Sequence, residues 1–188
     1  MTDTVVIGAG LAGLTAAIRL AESGQSVSLL TFGVGGVQLG QGTVDVLGYR
    51  DDKLVSEPFA DLAKNASKNE GHPYSILDSS TVEQAVDWFA AQVPNLLLPG
   101  DKKNHLVPTA LGAMRPTYLR QPSMVWPDVP SVAVVGPRQI KDFYPELVAA
   151  NLEKTAQVTA AGYHIDLPAR EGEVDSSPIV YAQALDNP

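Results

Sequence analysis

The spacing of apolar and polar positions changes several times along this 188-residue chain. Val5-Val6-Ile7 is a short β-branched run, which predicts a strand. It leads into Gly8-Ala9-Gly10-Leu11-Ala12-Gly13, and Leu11, Leu14, Ala17, Ile18 and Ala21 then recur at helical spacing. Gly24 stands where a helix C-terminal glycine belongs, and Ser26 to Leu30 reads as a second strand. Strand, glycine turn, helix and strand within about thirty residues form a βαβ unit with a parallel strand pair.

A second glycine-rich stretch follows, with five glycines between Gly33 and Gly42. Residues 51 to 80 are polar and contain Asp51-Asp52, Lys64-Asn65 and His72-Pro73, predicting loop plus a short helix. Ser80, three residues before Glu83, predicts a capping box; Val82, Val86, Phe89 and Val93 then give one apolar helix face ended by Pro94. Prolines at 94, 99, 108, 116, 122, 127 and 130 favour irregular or edge-strand structure. Val132 to Gly136 reads as a buried strand, Pro145 to about Lys154 as a helix, and Tyr163 to Leu167 as another strand. There is no internal repeat or low-complexity tail. No closing element is predicted before Leu185-Asp186-Asn187-Pro188, so the expectation is a cut end and an incomplete domain.

Composition narrows the classes. Apolar residues make up 45% of the chain and charged residues 18%, which suits a globular core and not a disordered segment. The net charge of −8 argues against a basic face for nucleic acid and against a polybasic hold on anionic lipid. Without cysteine there are no disulfides, thiolate metal sites, Fe–S ligands or Cys nucleophile, and no metal is expected. The longest apolar stretch, Val5 to Ile18, ends at Arg19 and is short of the ~20 residues of a spanning helix. No positively charged region precedes an apolar core at the N-terminus, so a soluble intracellular chain is the expectation.

Gly8-x-Gly10-x-x-Gly13 sits between a strand and a helix, the context in which such glycines cradle a pyrophosphate. Gly8 permits the turn, Gly10 admits the phosphates, and Gly13 lets helix and strand approach; Leu11 and Ala12 bring their N–H groups to the helix N-terminus. The acid that usually binds the adenosine ribose is absent: Thr31 and Phe32 end the second strand, and no Asp or Glu lies between Glu22 and Asp45. Thr31 retains one hydroxyl to donate. The gap weakens NAD most, FAD less, and FMN, which lacks that ribose, least. The second loop, with Gly35, Gly36 and Gly42, reads either as a backbone floor under the diphosphate and ring or as a surface loop.

The chain resembles a known family, the B subunit of anaerobic glycerol-3-phosphate dehydrogenase. The resemblance rests on TVVIGAGLAGL (Thr4 to Leu14), Gly42-Thr43-Val44-Asp45-Val46-Leu47-Gly48 and His72-Pro73-Tyr74-Ser75. Thr109 to Leu119, Val134-Val135-Gly136, Asp142-Phe143 and Ala150-Asn151-Leu152 continue it in order. It implies an α/β, Rossmann-like FAD/NAD(P)-binding fold, with a βαβ over residues 1–50 and an inserted, substrate-side segment over 51–188. It also implies oxidation of sn-glycerol 3-phosphate to glycerone phosphate, with electrons passing through flavin toward menaquinone and then fumarate or nitrate. FMN is the implied cofactor, with FAD the alternative. Implied partners are a larger flavoprotein of the same complex and an iron–sulfur membrane-anchor protein that holds the assembly at the inner face of the cell membrane.

Substrate oxidation by a flavin needs a proton acceptor and a cation for the phosphate. His72 is the candidate acceptor, against a structural His-Pro turn, with His105 and His164 behind it. Arg115 is the candidate phosphate holder, against a plain salt bridge. Asp45 and Arg138 are weaker candidates for the same cleft, and Trp88 and Phe89 are expected in the core. Ser-His-Asp, HxxxH and P-loop patterns are missing. Two competing readings are a non-catalytic adapter or electron relay that docks a catalytic flavoprotein, and an NAD-dependent reductase with a diverged fingerprint.

Overall fold

The computed structural model describes residues 2–65 and 71–186. Part of the polar stretch read as loop and short helix, residues 66–70, lies outside the described residues, as do Met1, Asn187 and Pro188. The chain forms two compact units. One comprises Met1–Asp45, Phe59–Asp101 and Leu119–Gln121; the other comprises Val46–Pro58, Lys102–Tyr118 and Pro122–Pro188. The first unit thus leaves the chain after Asp45 and takes it up again over residues 59–101.

The first unit opens with β1 (Thr4–Ile7), α1 (Leu11–Glu22) and β2 (Val27–Leu30). The strands are parallel, in register from Thr4 opposite Val27 to Ile7 opposite Leu30. Past the last pair, the Gly8 N–H donates to the Leu30 carbonyl at 2.8 Å, which ties the glycine turn to the end of β2. Gly24, at φ +87°, turns the chain out of α1 as its position in the sequence predicts. The unit also holds all but the first residue of α2 (Pro58–Asn65), together with α3 (Ser79–Gln92). Its buried apolar side chains are Ala9, Phe59, Leu62, Val82, Leu97 and Leu119.

The capping box expected at Ser80 is corrected by two residues. Asp78 is the N-cap of α3: its Oδ1 accepts the Thr81 N–H at 2.8 Å and the Ser80 hydroxyl at 2.7 Å. A carboxylate accepts more bonds than a serine hydroxyl, so the acid takes the cap and Ser80 becomes one of its donors.

In the second unit, β3 (Tyr49–Arg50) and β4 (Lys53–Leu54) form a hairpin around Asp51 and Asp52, at φ 48° and 61°. Asp tolerates this left-handed backbone, the requirement of a tight two-residue hairpin. β5 (His105–Pro108) and β6 (Met114–Thr117) pair antiparallel. In a two-stranded sheet both strands are edges, so Pro108 and Pro116 are accommodated. A second βαβ follows: β7 (Ser131–Pro137), α4 (Pro145–Thr155) and β8 (Thr159–Ile165), with β7 and β8 parallel. β8 begins at Thr159, four residues before the expected start, and runs through Ala160, Ala161 and Gly162. A further helix, α5 (Pro178–Asp186), follows where the sequence predicts no element. Among the described residues no helix is long and apolar enough to cross a membrane.

Candidate functional site

The first glycine turn joins the C-terminal end of β1 to the N-terminus of α1. Gly8 lies at φ +102°, and Gly10 is the extended N-cap of α1 with no side-chain cap bond. A Cβ at Gly13 would overlap the Gly8 carbonyl oxygen, so only glycine lets the helix start this close to the strand. A Cβ at Gly10 or Gly36 would meet nothing within 4 Å, leaving backbone open to a ligand. The first turn of α1, which contains Leu11, Ala12 and Gly13, carries no acidic residue. Its N–H groups and the positive end of the helix therefore remain available to an anion.

The second glycine loop is built against the first. Gly35, at φ +67°, lies so close to Ala9 and Gly10 that a Cβ there would overlap the Ala9 carbonyl. Gly35–Leu39 form one 3-10 turn, and Gly42 lies at φ +71°. The exposed second loop therefore meets the first glycine turn at Gly35. The nine expected cofactor residues, Gly8, Gly10, Leu11, Ala12, Gly13, Thr31, Gly35, Gly36 and Gly42, all lie in the first unit.

Thr31 departs from expectation. Its hydroxyl donates to the Gly33 carbonyl and accepts the Gly33 N–H at 3.1 Å. The donor expected to reach a ribose is used to close the turn after β2. The open backbone and uncapped helix suit a diphosphate, while the ribose end holds no acid.

The substrate-side candidates divide between the units. His72, in the first, heads a 3-10 turn over Pro73–Ser75, and its Nδ1 accepts the Tyr74 N–H at 3.2 Å. An accepting Nδ1 puts the neutral ring's proton on Nε2. Nδ1 thus caps the turn, the arrangement of the structural His-Pro reading. Its ring lies 5.0 Å from that of Tyr74, whose hydroxyl pKa is raised by burial. Arg115, in the second unit, is half-buried in β6 opposite Val107. Asp45 accepts from the Thr43 hydroxyl at 3.4 Å. The Arg138 N–H extends the β7–β8 ladder to Ile165 at 2.8 Å. His105 lies in β5, and His164 Nε2 is 3.3 Å from Glu146 Oε2.

Trp88 and Phe89 do not simply fill a core. With Leu11, Thr15, Arg19 and Ala85 they line a cavity of about 640 Å³ on the flanks of α1 and α3. Trp88 Nε1 donates to Glu22 at 3.0 Å, and the Arg19 guanidinium lies 5.3 Å from the centre of the indole ring. A tryptophan on a helix face gives the same sequence signal in a core and in a cavity wall, so the sequence held no sign of this space. Among the described residues no cluster of His, Asp or Glu is arranged to hold a metal.

The sequence profile of the FAD binding domain matches residues 3–182. Among curated proteins, the chain is 30% identical over 169 residues to the B subunit of anaerobic glycerol-3-phosphate dehydrogenase of Aliivibrio fischeri (strain MJ11), covering 84% of this chain and 37% of the relative. The protein of that name in Vibrio cholerae (strain ATCC 39541) is 30% identical over 90% of this chain and 42% of its own length. The Yersinia pseudotuberculosis (strain IP32953) protein of that name is 30% identical over 99% and 47%. The chain thus spans 37–47% of the length of these relatives. No solved structure matches. The family match supports a flavin cofactor, specifically FAD, and gives no support to FMN, which the resemblance implied, as the primary one. The uncapped helix, the paired glycine turns and the profile agree: the chain belongs to the FAD-binding domain family, with its Rossmann-like dinucleotide fold.

Proposed function

We propose that this chain is the flavin-nucleotide-holding part of a protein that acts, within a complex, in the oxidation of sn-glycerol 3-phosphate to glycerone phosphate. The observation that carries the reading is the open backbone at Gly10 and Gly36, beside a helix N-terminus without cap or acid. The names of the relatives supply the substrate class. Oxidising this alcohol removes a hydride and a proton, and FAD, when bound, supplies the two-electron acceptor. The chain's own work is to hold the diphosphate on the N–H groups of Leu11, Ala12 and Gly13 and on the second glycine floor. In the second unit, taken by itself, Arg115 is the residue proposed to pair with a phosphate, since a planar guanidinium binds that anion bidentately. Partners in the proposal are a larger flavoprotein and an iron–sulfur protein that passes electrons toward quinone.

The test is steady-state glycerol 3-phosphate oxidation by the assembled complex. R115Q should raise KM for glycerol 3-phosphate about 10-fold or more, as expected for loss of a charge-assisted pair. H72N should change the rate less than about threefold, because its amide oxygen can accept the same N–H. An unchanged KM in R115Q favours the second reading, an electron relay whose partner protein oxidises the substrate. The engaged Nδ1 of His72 is the observation that favours that alternative.

A further inference from the structure

In a dinucleotide fold the second strand ends beside the adenosine ribose, where a carboxylate usually takes the ribose hydroxyls. This chain has no acid between Glu22 and Asp45, and the Thr31 hydroxyl is committed to Gly33. Yet the end of β2 is fixed beside the glycine turn, because the Gly8 N–H binds the Leu30 carbonyl. Two residues past that bond stands Phe32. Its ring is fully exposed, the most exposed large apolar side chain among the described residues. A phenyl ring in water at the mouth of a nucleotide site has the one property the missing carboxylate lacks, a flat apolar face.

We propose that Phe32 is the adenine-stacking residue of the site. The base lies on the phenyl face, and stacking takes over the anchoring that ribose hydrogen bonds provide elsewhere. The proposal rests on the flavin reading above and deepens it. It makes FAD, ADP and other adenine nucleotides the ligands of this half-site, and it makes Phe32 the residue that separates FAD from FMN, which has no adenine.

The experiment titrates FAD, FMN and ADP into the full-length protein after its flavin is removed, comparing F32A, F32L and F32W with the unmodified protein. F32A and F32L should raise the Kd for FAD and ADP about 5- to 50-fold, the range of one base–aromatic stack. FMN affinity should stay within about twofold, and F32W should restore FAD binding to within about threefold. Leucine separates stacking from simple burial, so F32L binding FAD as tightly as the unmodified protein overturns the proposal. F32A weakening FMN as much as FAD also overturns it, as does an unmodified protein that binds FMN and FAD equally well; both leave the flavin reading standing. An unmodified protein that binds neither flavin overturns that reading and Phe32's role with it.

Discussion

The molecule contains two βαβ units with the same order of elements and opposite uses of glycine. In β1–α1–β2 the helix begins four residues after the strand ends, and its first turn has neither cap side chain nor acid. In β7–α4–β8 a longer connection runs from Pro137 to Pro145, and Glu146 stands in the first turn of α4. α1 buries no residue, whereas α4 buries Pro145, Val148, Ala149 and Leu152. Gly13 brings α1 against its own turn and keeps the helix N-terminus open. Gly162 brings β8 against the backbone of Pro145 and Glu146, filling the corresponding space with protein. Neither helix start carries a side-chain cap, so what separates the two is the acid in the first turn of α4 and the protein packed against it, not topology.

The sharpest way to break this contrast is to put a side chain at each glycine. Gly13→Val should remove nearly all bound flavin, because its Cβ overlaps the Gly8 carbonyl, as absorbance of the purified full-length protein would show. Gly162→Val should leave flavin content unchanged while lowering Tm by about 5–10 °C, the scale of an overpacked contact. Equal flavin loss in both would dissolve the distinction.

A smaller effect is expected from exchanging the charges of the two helix starts. Ala12→Asp gives α1 an acid in its first turn and should raise the Kd for FAD about 5- to 10-fold, more at low salt, by repelling the diphosphate. Glu146→Gln removes the acid from α4 and should leave FAD affinity unchanged; fluorescence titration measures both.

The smallest effect concerns α3, which carries its own carboxylate where α1 leaves room for a ligand. Hydrogen bonds from Ser80 and Thr81 hold the Asp78 carboxyl below its ordinary pKa. The unfolded chain then binds this proton more readily, so the cap's contribution is complete above the ordinary carboxylate value near ~3.9 and fades as pH falls through the lower folded one. Asp78→Ala should lower Tm slightly at neutral pH, and the difference should shrink in acid. A difference that persists in acid would mean the ionised cap is not its source.

Much of this contrast was legible in the sequence. The first βαβ follows from Val5-Val6-Ile7, the helical spacing after Gly10 and the placement of Gly24. The second was legible as strand, helix, strand, but its last strand was shifted, because Ala160, Ala161 and Gly162 are poor strand formers. Gly162 is small because the start of α4 lies against it, a tertiary demand that outweighs local propensity. α5 escaped notice because none of its residues is buried, so no apolar stripe marks it. At the site, the glycines were readable from their spacing, and Gly8, Gly13, Gly35 and Gly42 each answer a positive φ or a close backbone approach. The engagement of Thr31 with Gly33, of His72 with Tyr74, and the cavity beside Trp88 were not, because one hydroxyl, imidazole or indole serves many geometries.

In the function proposed above, the two glycine turns and the open end of α1 hold the diphosphate of FAD. The most direct measurement is to denature the purified full-length protein and identify and quantify the released cofactor by chromatography. Stoichiometric FAD, lost in Gly13→Val and kept in Gly162→Val, is the predicted result. Release of FMN alone, or of no flavin, would contradict it.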